Sequence, residues 1–194
     1  MKVGSPLSAA DYERLAASWI DPATAEAAGL RRVDSAEGAA IVGRNGHGDY
    51  SGIKFDYFLP GSRSPRGCRL RLDSPPLEQK EDGSQKPKHK YLAAPGSRNQ
   101  IYFPPGVTPE QLADTSLPIV LTEGEKKTLA LSRLAWHELP EAEDKPRFLP
   151  LGIAGVSSWY GKVGRTNDAN GKRVDLKGPI SDLDRIKWDS TATR

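Results

Sequence analysis

One short stretch of this chain changes its chemical period within about a dozen residues, and that change limits the folds open to it. Ile119-Val120-Leu121-Thr122 is an apolar run of β-branched character, Glu123-Gly124-Glu125 follows at once, and Lys126-Lys127-Thr128-Leu129-Ala130-Leu131 continues at helical spacing. The order predicts a strand, a turn and a helix, a unit from which α/β sheets are built. Thr122 and Glu125 have the spacing of a capping box, and Gly124 permits a tight turn with close approach of a phosphate or a metal-bound ligand. Glu123 then falls at the carboxyl end of a strand, where open α/β sheets receive their ligands. The plain alternative is that Glu123 and Glu125 only complement a helix N-terminus.

Ahead of this unit the chain reads as two kinds of segment. Ser8-Ala9-Ala10-Asp11 is an N-terminal capping pattern, and Tyr12, Leu15, Ala16 and Trp19 follow at helical spacing, predicting a first helix that ends near Ile20. Asp21-Pro22 opens a second over residues 22 to 28, stopped by Gly29, and a third covers residues 35 to 42. Ala36 to Val42 lacks the Arg, Lys, Asn or Gln content of a recognition helix, so the three helices are expected to cap the structure, with Leu15, Trp19 and Ile20 in a core.

From Asn45 to Asp49 the chain turns, and residues 52 to 59 and 68 to 73 then alternate with a strand's period. That alternation places Arg69, Arg71 and Asp73 on the face opposite Leu70 and Leu72. Residues 74 to 89 are charged and aperiodic, which predicts an exposed loop or a partly disordered insertion within a hairpin. Lys90-Tyr91-Leu92 and Ile101-Tyr102-Phe103 read as further short strands, the second stopped by Pro104-Pro105-Gly106. The expected organisation is a helical segment over 1–45, a β-rich basic part over 46–117 and an α/β part over 118–194. The fold class is therefore α/β, or α+β taken over the whole chain.

Charge sorts these parts. Residues 1 to 59 hold six Lys and Arg against eight Asp and Glu, residues 60 to 100 hold nine against four, and residues 101 to 194 hold thirteen of each. A local basic surplus is what a phosphate backbone selects, because neutralising phosphates releases counterions. A single cysteine, Cys68, forms no internal disulfide, and three scattered histidines offer no zinc-ligand spacing. No apolar run reaches the roughly 18 residues that span a bilayer, and Met1-Lys2-Val3-Gly4-Ser5-Pro6 lacks a signal-peptide core, so a cytoplasmic location without a membrane partner is expected.

The apolar strand, the Glu-Gly turn and the helix through Leu129-Ala130-Leu131 resemble the first motif of the Toprim domain of topoisomerases and primases. The strands ahead of it, Gly52 to Leu59, Arg69-Leu70-Arg71, Lys90-Tyr91-Leu92 with its Pro-Gly-Ser turn and Ile101-Tyr102-Phe103, resemble in order the basic part of the primase catalytic core. Over roughly residues 5 to 188 the chain resembles a Toprim-like family of uncharacterised function from mobile-element and plasmid replication proteins. The resemblance implies that Glu123 is the Toprim glutamate, a catalytic and metal-binding position for Mg²⁺. It implies that Arg69, Arg71, Lys90, Arg98, Lys126 and Lys127 meet nucleic acid. The implied partners are single-stranded DNA or a primer-template and a replicative helicase.

Two residues depart from that pattern. Lys127 stands where primases place an acid four positions after the glutamate, and no apolar strand ending in Asp-x-Asp follows. Asp182-Leu183-Asp184 has the letters but follows Gly178-Pro179-Ile180, so a helix or loop is expected there. Leu149 to Val156 resembles the second Toprim strand and its turn, and the chain is expected to stop short of the acidic strand. Trp159, Tyr160, Lys162, Arg165, Lys172 and Arg173 form a basic, aromatic, glycine-rich stretch, expected as an exposed hairpin, with nucleic-acid contact as the alternative. Three functions follow as expectations: a nucleic-acid-binding module with half a metal site, a metal-dependent nucleotidyltransferase or nuclease, or a non-catalytic docking domain.

Overall fold

A computed structural model describes residues 3–45 and 48–188, and it is a mixed α/β structure as expected. The chain divides into two compact units. One gathers the described residues up to Ala17 with Asp21–Tyr57 and Pro65–Ser97; the other gathers Ser18–Ile20, Phe58–Ser64 and the described residues from Arg98 onward.

The first unit opens with helix α1, Ala9–Ala16, capped by the reciprocal Ser8 and Asp11 hydrogen bonds that the sequence predicts. The helix ends before Ile20 because Trp19 takes a positive φ of 61°, a left-handed conformation no helix interior accepts. Helix α2, Pro22–Ala27, has Asp21 at its cap and proline in its first turn. Strand β1, Arg31–Val33, and helix α3, Ser35–Ile41, follow. The turn expected over Asn45–Asp49 falls partly outside the described residues.

Strands β2, Gly52–Tyr57, and β3, Gly67–Leu72, pair antiparallel with each other, β2 also with β1, and β3 with the short β6, Tyr91–Leu92. The sheet order is β1-β2-β3-β6. Its register puts Val33, Leu70, Leu72 and Leu92 on one face, where they pack with Ile41 and Val42 of the α3 region. Helix α3 crosses Tyr50 so closely that any side chain at Gly38 would collide with the Tyr50 carbonyl. Between β3 and β6, the expected loop contains a second hairpin, strands β4, Leu77–Gln79, and β5, Gln85–Pro87, turned at Gly83.

In the second unit, helix α4, Pro109–Ala113, precedes strand β7, Ile119–Glu123, helix α5, Glu125–Trp136, and strand β8, Leu149–Ile153. Strands β7 and β8 run parallel. Tyr102 exchanges both backbone hydrogen bonds with Gly152 at 2.8 and 2.9 Å, so the expected strand around it reduces to one antiparallel bridge on the far edge of β8. Ile101, Phe103, Val107, Leu112, Leu117, Leu149, Leu151, Ile180 and Ile186 form a core cluster. A long hairpin, β9, Tyr160–Asn167, and β10, Arg173–Pro179, follows as expected. Asp182-Leu183-Asp184 lies in a 3₁₀ helix, Ser181–Arg185, and not at the end of a strand. Asp182 is buried and accepts the Ile101 N–H at 2.7 Å, which makes it a structural carboxylate.

Candidate nucleic-acid interface and acidic strand end

Arg69 and Arg71 alternate along β3 with the buried Leu70 and Leu72, as the period-two pattern predicts. Their face is not purely basic, however. The ladder pairs Phe55 with Arg69 and Ile53 with Arg71, and both apolar partners are buried. Tyr91 sits opposite Arg71 on β6, and the Arg69 guanidinium lies 5.1 Å from the centre of its ring, within cation–π range. Two half-buried arginines and one half-buried tyrosine therefore cluster at the β6 edge of the sheet. Lys90 stands one residue outside β6, exposed, and its carbonyl accepts the Leu72 N–H at 3.0 Å. The alternation of the ladder sets Lys90 with Leu72, not with the two arginines.

Asp73, grouped with these arginines by the sequence pattern, belongs to a different device. Arg32 donates to Asp73 and to Asp11, and Arg14 donates to Asp11 at 2.7 Å and to Asp73 at 3.3 Å. Asp11 is fully buried. Burial acts to raise its pKa, but hydrogen bonds from Arg32, Ser8 and Arg14 outweigh this and hold the carboxyl well below the usual range. The network ties α1 to β1 and to the end of β3. Helical i,i+3 spacing joins Asp11 to Arg14, but nothing in the sequence pattern joins that pair to Arg32 and Asp73; the tertiary fold does.

In the second unit Glu123 ends β7 and is exposed, opposite Ile153 of the parallel β8. The turn after it differs from the expected capping box. Gly124 is itself the N-cap, with φ 88° and ψ 152° and no side-chain cap bond, and its N–H donates to the Ile153 carbonyl at 2.8 Å. Thr122 is thus a strand residue, and Glu125 opens the helix as a completely buried carboxylate. Thr128 donates its hydroxyl back to the Gly124 carbonyl at 2.9 Å and lies directly over Gly152 of β8. A glycine at 152 is what lets α5 settle on the two strands, so Glu123 is held by a rigid strand-turn-helix.

Lys126 is half-buried and Lys127 exposed in the first turn of α5. Arg98 is exposed, and its neighbour Asn99 donates to the Tyr160 carbonyl at 3.3 Å. The candidate residues thus fall into two groups, with Arg69, Arg71 and Lys90 in one unit and Arg98, Glu123, Lys126 and Lys127 in the other. For a divalent cation, Glu123 offers one exposed carboxylate, whereas Mg²⁺ keeps its waters and generally takes further carboxylate or phosphate ligands. Among the described residues no group of three or more His, Cys, Asp or Glu side chains could hold a metal ion, so these residues do not by themselves fit a closed Mg²⁺ site.

Comparison with family models, curated proteins and solved structures finds no match to this chain. Among the described residues no helix is long and apolar enough to cross a membrane.

Proposed function

We propose that this chain is a nucleic-acid-binding, primase-like replication module of Toprim-like type whose metal side is incomplete. The observation that carries the reading is the cluster of Arg69, Arg71 and Tyr91 at the β6 edge of a four-stranded sheet. Arginine supplies phosphate contacts in a planar, always-charged form, and a flanking aromatic ring offers a stacking surface for an unpaired base. Single-stranded DNA, or the single-stranded part of a primer-template, is the partner this chemistry fits. A parallel β-α-β unit that presents Glu123 at a strand end supports the Toprim-like part of the reading.

In this account Glu123 becomes a Mg²⁺ ligand only beside carboxylates or phosphates supplied from elsewhere, and the chain alone binds without catalysing. The test is fluorescence anisotropy of a labelled oligothymidylate. Replacing Arg69 and Arg71 together with Ala should weaken binding about tenfold and flatten the salt dependence by roughly 0.7 per lost phosphate contact. The exposed pair Arg44 and Arg63, replaced likewise, is the control and should leave binding nearly unchanged. Arg32 is unsuitable as a control, because its loss breaks the Asp11 network. Equal effects of the two double variants would remove the proposed interface.

Glu123→Gln should leave affinity within about twofold, since one exposed carboxylate repels phosphate only weakly through water. Primer synthesis or nicking in Mg²⁺ or Mn²⁺ that vanishes in Glu123→Gln would show instead that the chain is itself an enzyme.

A further inference from the structure

The β9–β10 hairpin carries charge and aromatic surface that the sheet-edge interface does not use. Its register separates two faces. Arg165 stands opposite Asp175, Arg173 opposite Asn167, Lys177 opposite Lys162 and Pro179 opposite Tyr160, so these side chains share one face. Val174, Leu176 and the glycines at 164, 161 and 178 fall on the other.

The acids of this hairpin are already engaged. Asp168 folds the connecting turn, accepting the N–H groups of Asn170 and Lys172 at 2.9 Å each. Asp175 lies 2.5 Å from Lys162 and 3.6 Å from Arg165. Lys172, Arg173 and Lys177 are exposed and meet no carboxylate within salt-bridge distance among the described residues. At the base of the hairpin, Trp159 and Tyr160 are 46% and 42% exposed, with ring centres 5.6 Å apart in an edge-to-face arrangement. Two adjacent, part-exposed aromatics beside solvated cations make a surface that suits a ligand with both π faces and negative charge.

Topology says where that ligand would lie. Ile153, at the carboxyl end of β8, is the parallel partner of Glu123, and only residues 154 to 159 separate it from the hairpin. Asn99 bonds the Tyr160 carbonyl, which brings Arg98 to the same base. The aromatic base therefore belongs to the end of the β7–β8 sheet at which Glu123 stands, the end where open α/β sheets take ligands.

We infer that the β9–β10 hairpin is a second single-strand nucleic-acid contact, with Trp159 and Tyr160 stacking on unpaired bases and Lys172, Arg173, Lys177 and Arg98 following the phosphates. The inference deepens the nucleic-acid reading and rests on it, but it uses residues of the other unit. Two variants of the full chain separate its parts, each checked for an unchanged circular-dichroism spectrum. Lys172→Gln with Arg173→Gln and Lys177→Gln should weaken oligothymidylate binding about tenfold and reduce the salt slope by about 2, the value for three single-strand phosphate contacts. Trp159→Ala with Tyr160→Ala should also weaken binding about tenfold, with the salt slope unchanged, because stacking releases no counterions. Wild-type affinity and slope in both variants would overturn the inference, while a loss confined to the Arg69 and Arg71 variant would leave the sheet-edge reading standing. Hairpin-dependent binding that ignores Arg69 and Arg71 would do the reverse. Tighter binding to duplex than to single strand would overturn the stacking assignment, and no binding by the wild type at low salt would overturn both readings.

Discussion

Asn in place of Asp11 is expected to destabilise the chain by about 2–3 kcal/mol, because it removes the charge that receives Arg32 and Arg14 and leaves Arg32 with Asp73 alone. Total stabilities of natural domains are about 5–15 kcal/mol, so a loss of this size is a large fraction of the whole. The carboxyl is fully buried, receives Arg32 and Arg14 together, and also closes the cap of α1 through the Ser8 N–H at 3.0 Å. Removing its charge therefore weakens a helix cap and an ion network in one step. The pH dependence has a definite sign. Asp11 is depressed in the folded state, so its contribution is complete above the unfolded carboxyl pKa of about 3.9 and is lost as pH falls below it toward the folded value. Denaturant unfolding of the wild type should show this acid loss, and Asp11→Asn should show less of it. An Asp11→Asn midpoint equal to that of the wild type at neutral pH would mean that the network is decorative.

The second large effect is expected at Gly152. A methyl group there would lie well inside the contact distance of Thr128 Oγ1 and only 3.1 Å from the Tyr102 Cβ. Thr128 has little freedom to yield, since it is β-branched, sits in a helix, and holds the Gly124 carbonyl through the same oxygen. Gly152→Ala should cost about 1–3 kcal/mol, the range for overpacking a filled interior. The cause is identifiable by a second change. With Thr128→Ala already present, the obstructing oxygen is gone and the nearest remaining helix atom is 3.4 Å away, so Gly152→Ala should then cost much less. Additive costs in that double-mutant cycle would show that α5 does not rest on Gly152. Because the same contact fixes the turn that presents Glu123, the cycle also measures how firmly the strand end is built.

These residues show where sequence reasoning reaches and where it stops. Local signals were legible: Ser8 and Asp21 as caps, the alternation of Arg69 and Arg71 with Leu70 and Leu72, and the apolar run before Glu123. That Asp182 to Asp184 lie in a helix or loop and not at a strand end was legible too, because no apolar strand precedes those letters. Helix α4 has a local signal in the sequence as well, a threonine cap, proline in the first turn and Gln111 returning to the Thr108 N–H. The β4–β5 hairpin gave only its Asp82-Gly83 turn, since its strands are exposed and carry no apolar alternation. Trp19, expected in the core, is 38% exposed; Arg133 lies 4.8 Å from its ring, and His137 5.2 Å away meets it edge-to-face. Glu125 reads as a capping acid from spacing alone, yet Gly124 takes the cap and Glu125 is buried. What spacing cannot carry is register. The union of Asp11 and Arg14 of α1 with Arg32 and Asp73, and the separation of Lys90 from the two arginines of β3, arise from elements that are distant in sequence.

Phosphate recognition by this chain stands or falls with the salt dependence of its single-strand binding. Oligothymidylate affinity of the wild-type chain, followed by anisotropy from low salt to about 0.2 M, should fall along a straight line in log Kd against log salt with a slope of several times 0.7. The Arg69→Ala, Arg71→Ala variant should give a weaker and shallower line. An absence of binding at low salt, or an affinity that ignores salt, would contradict the account.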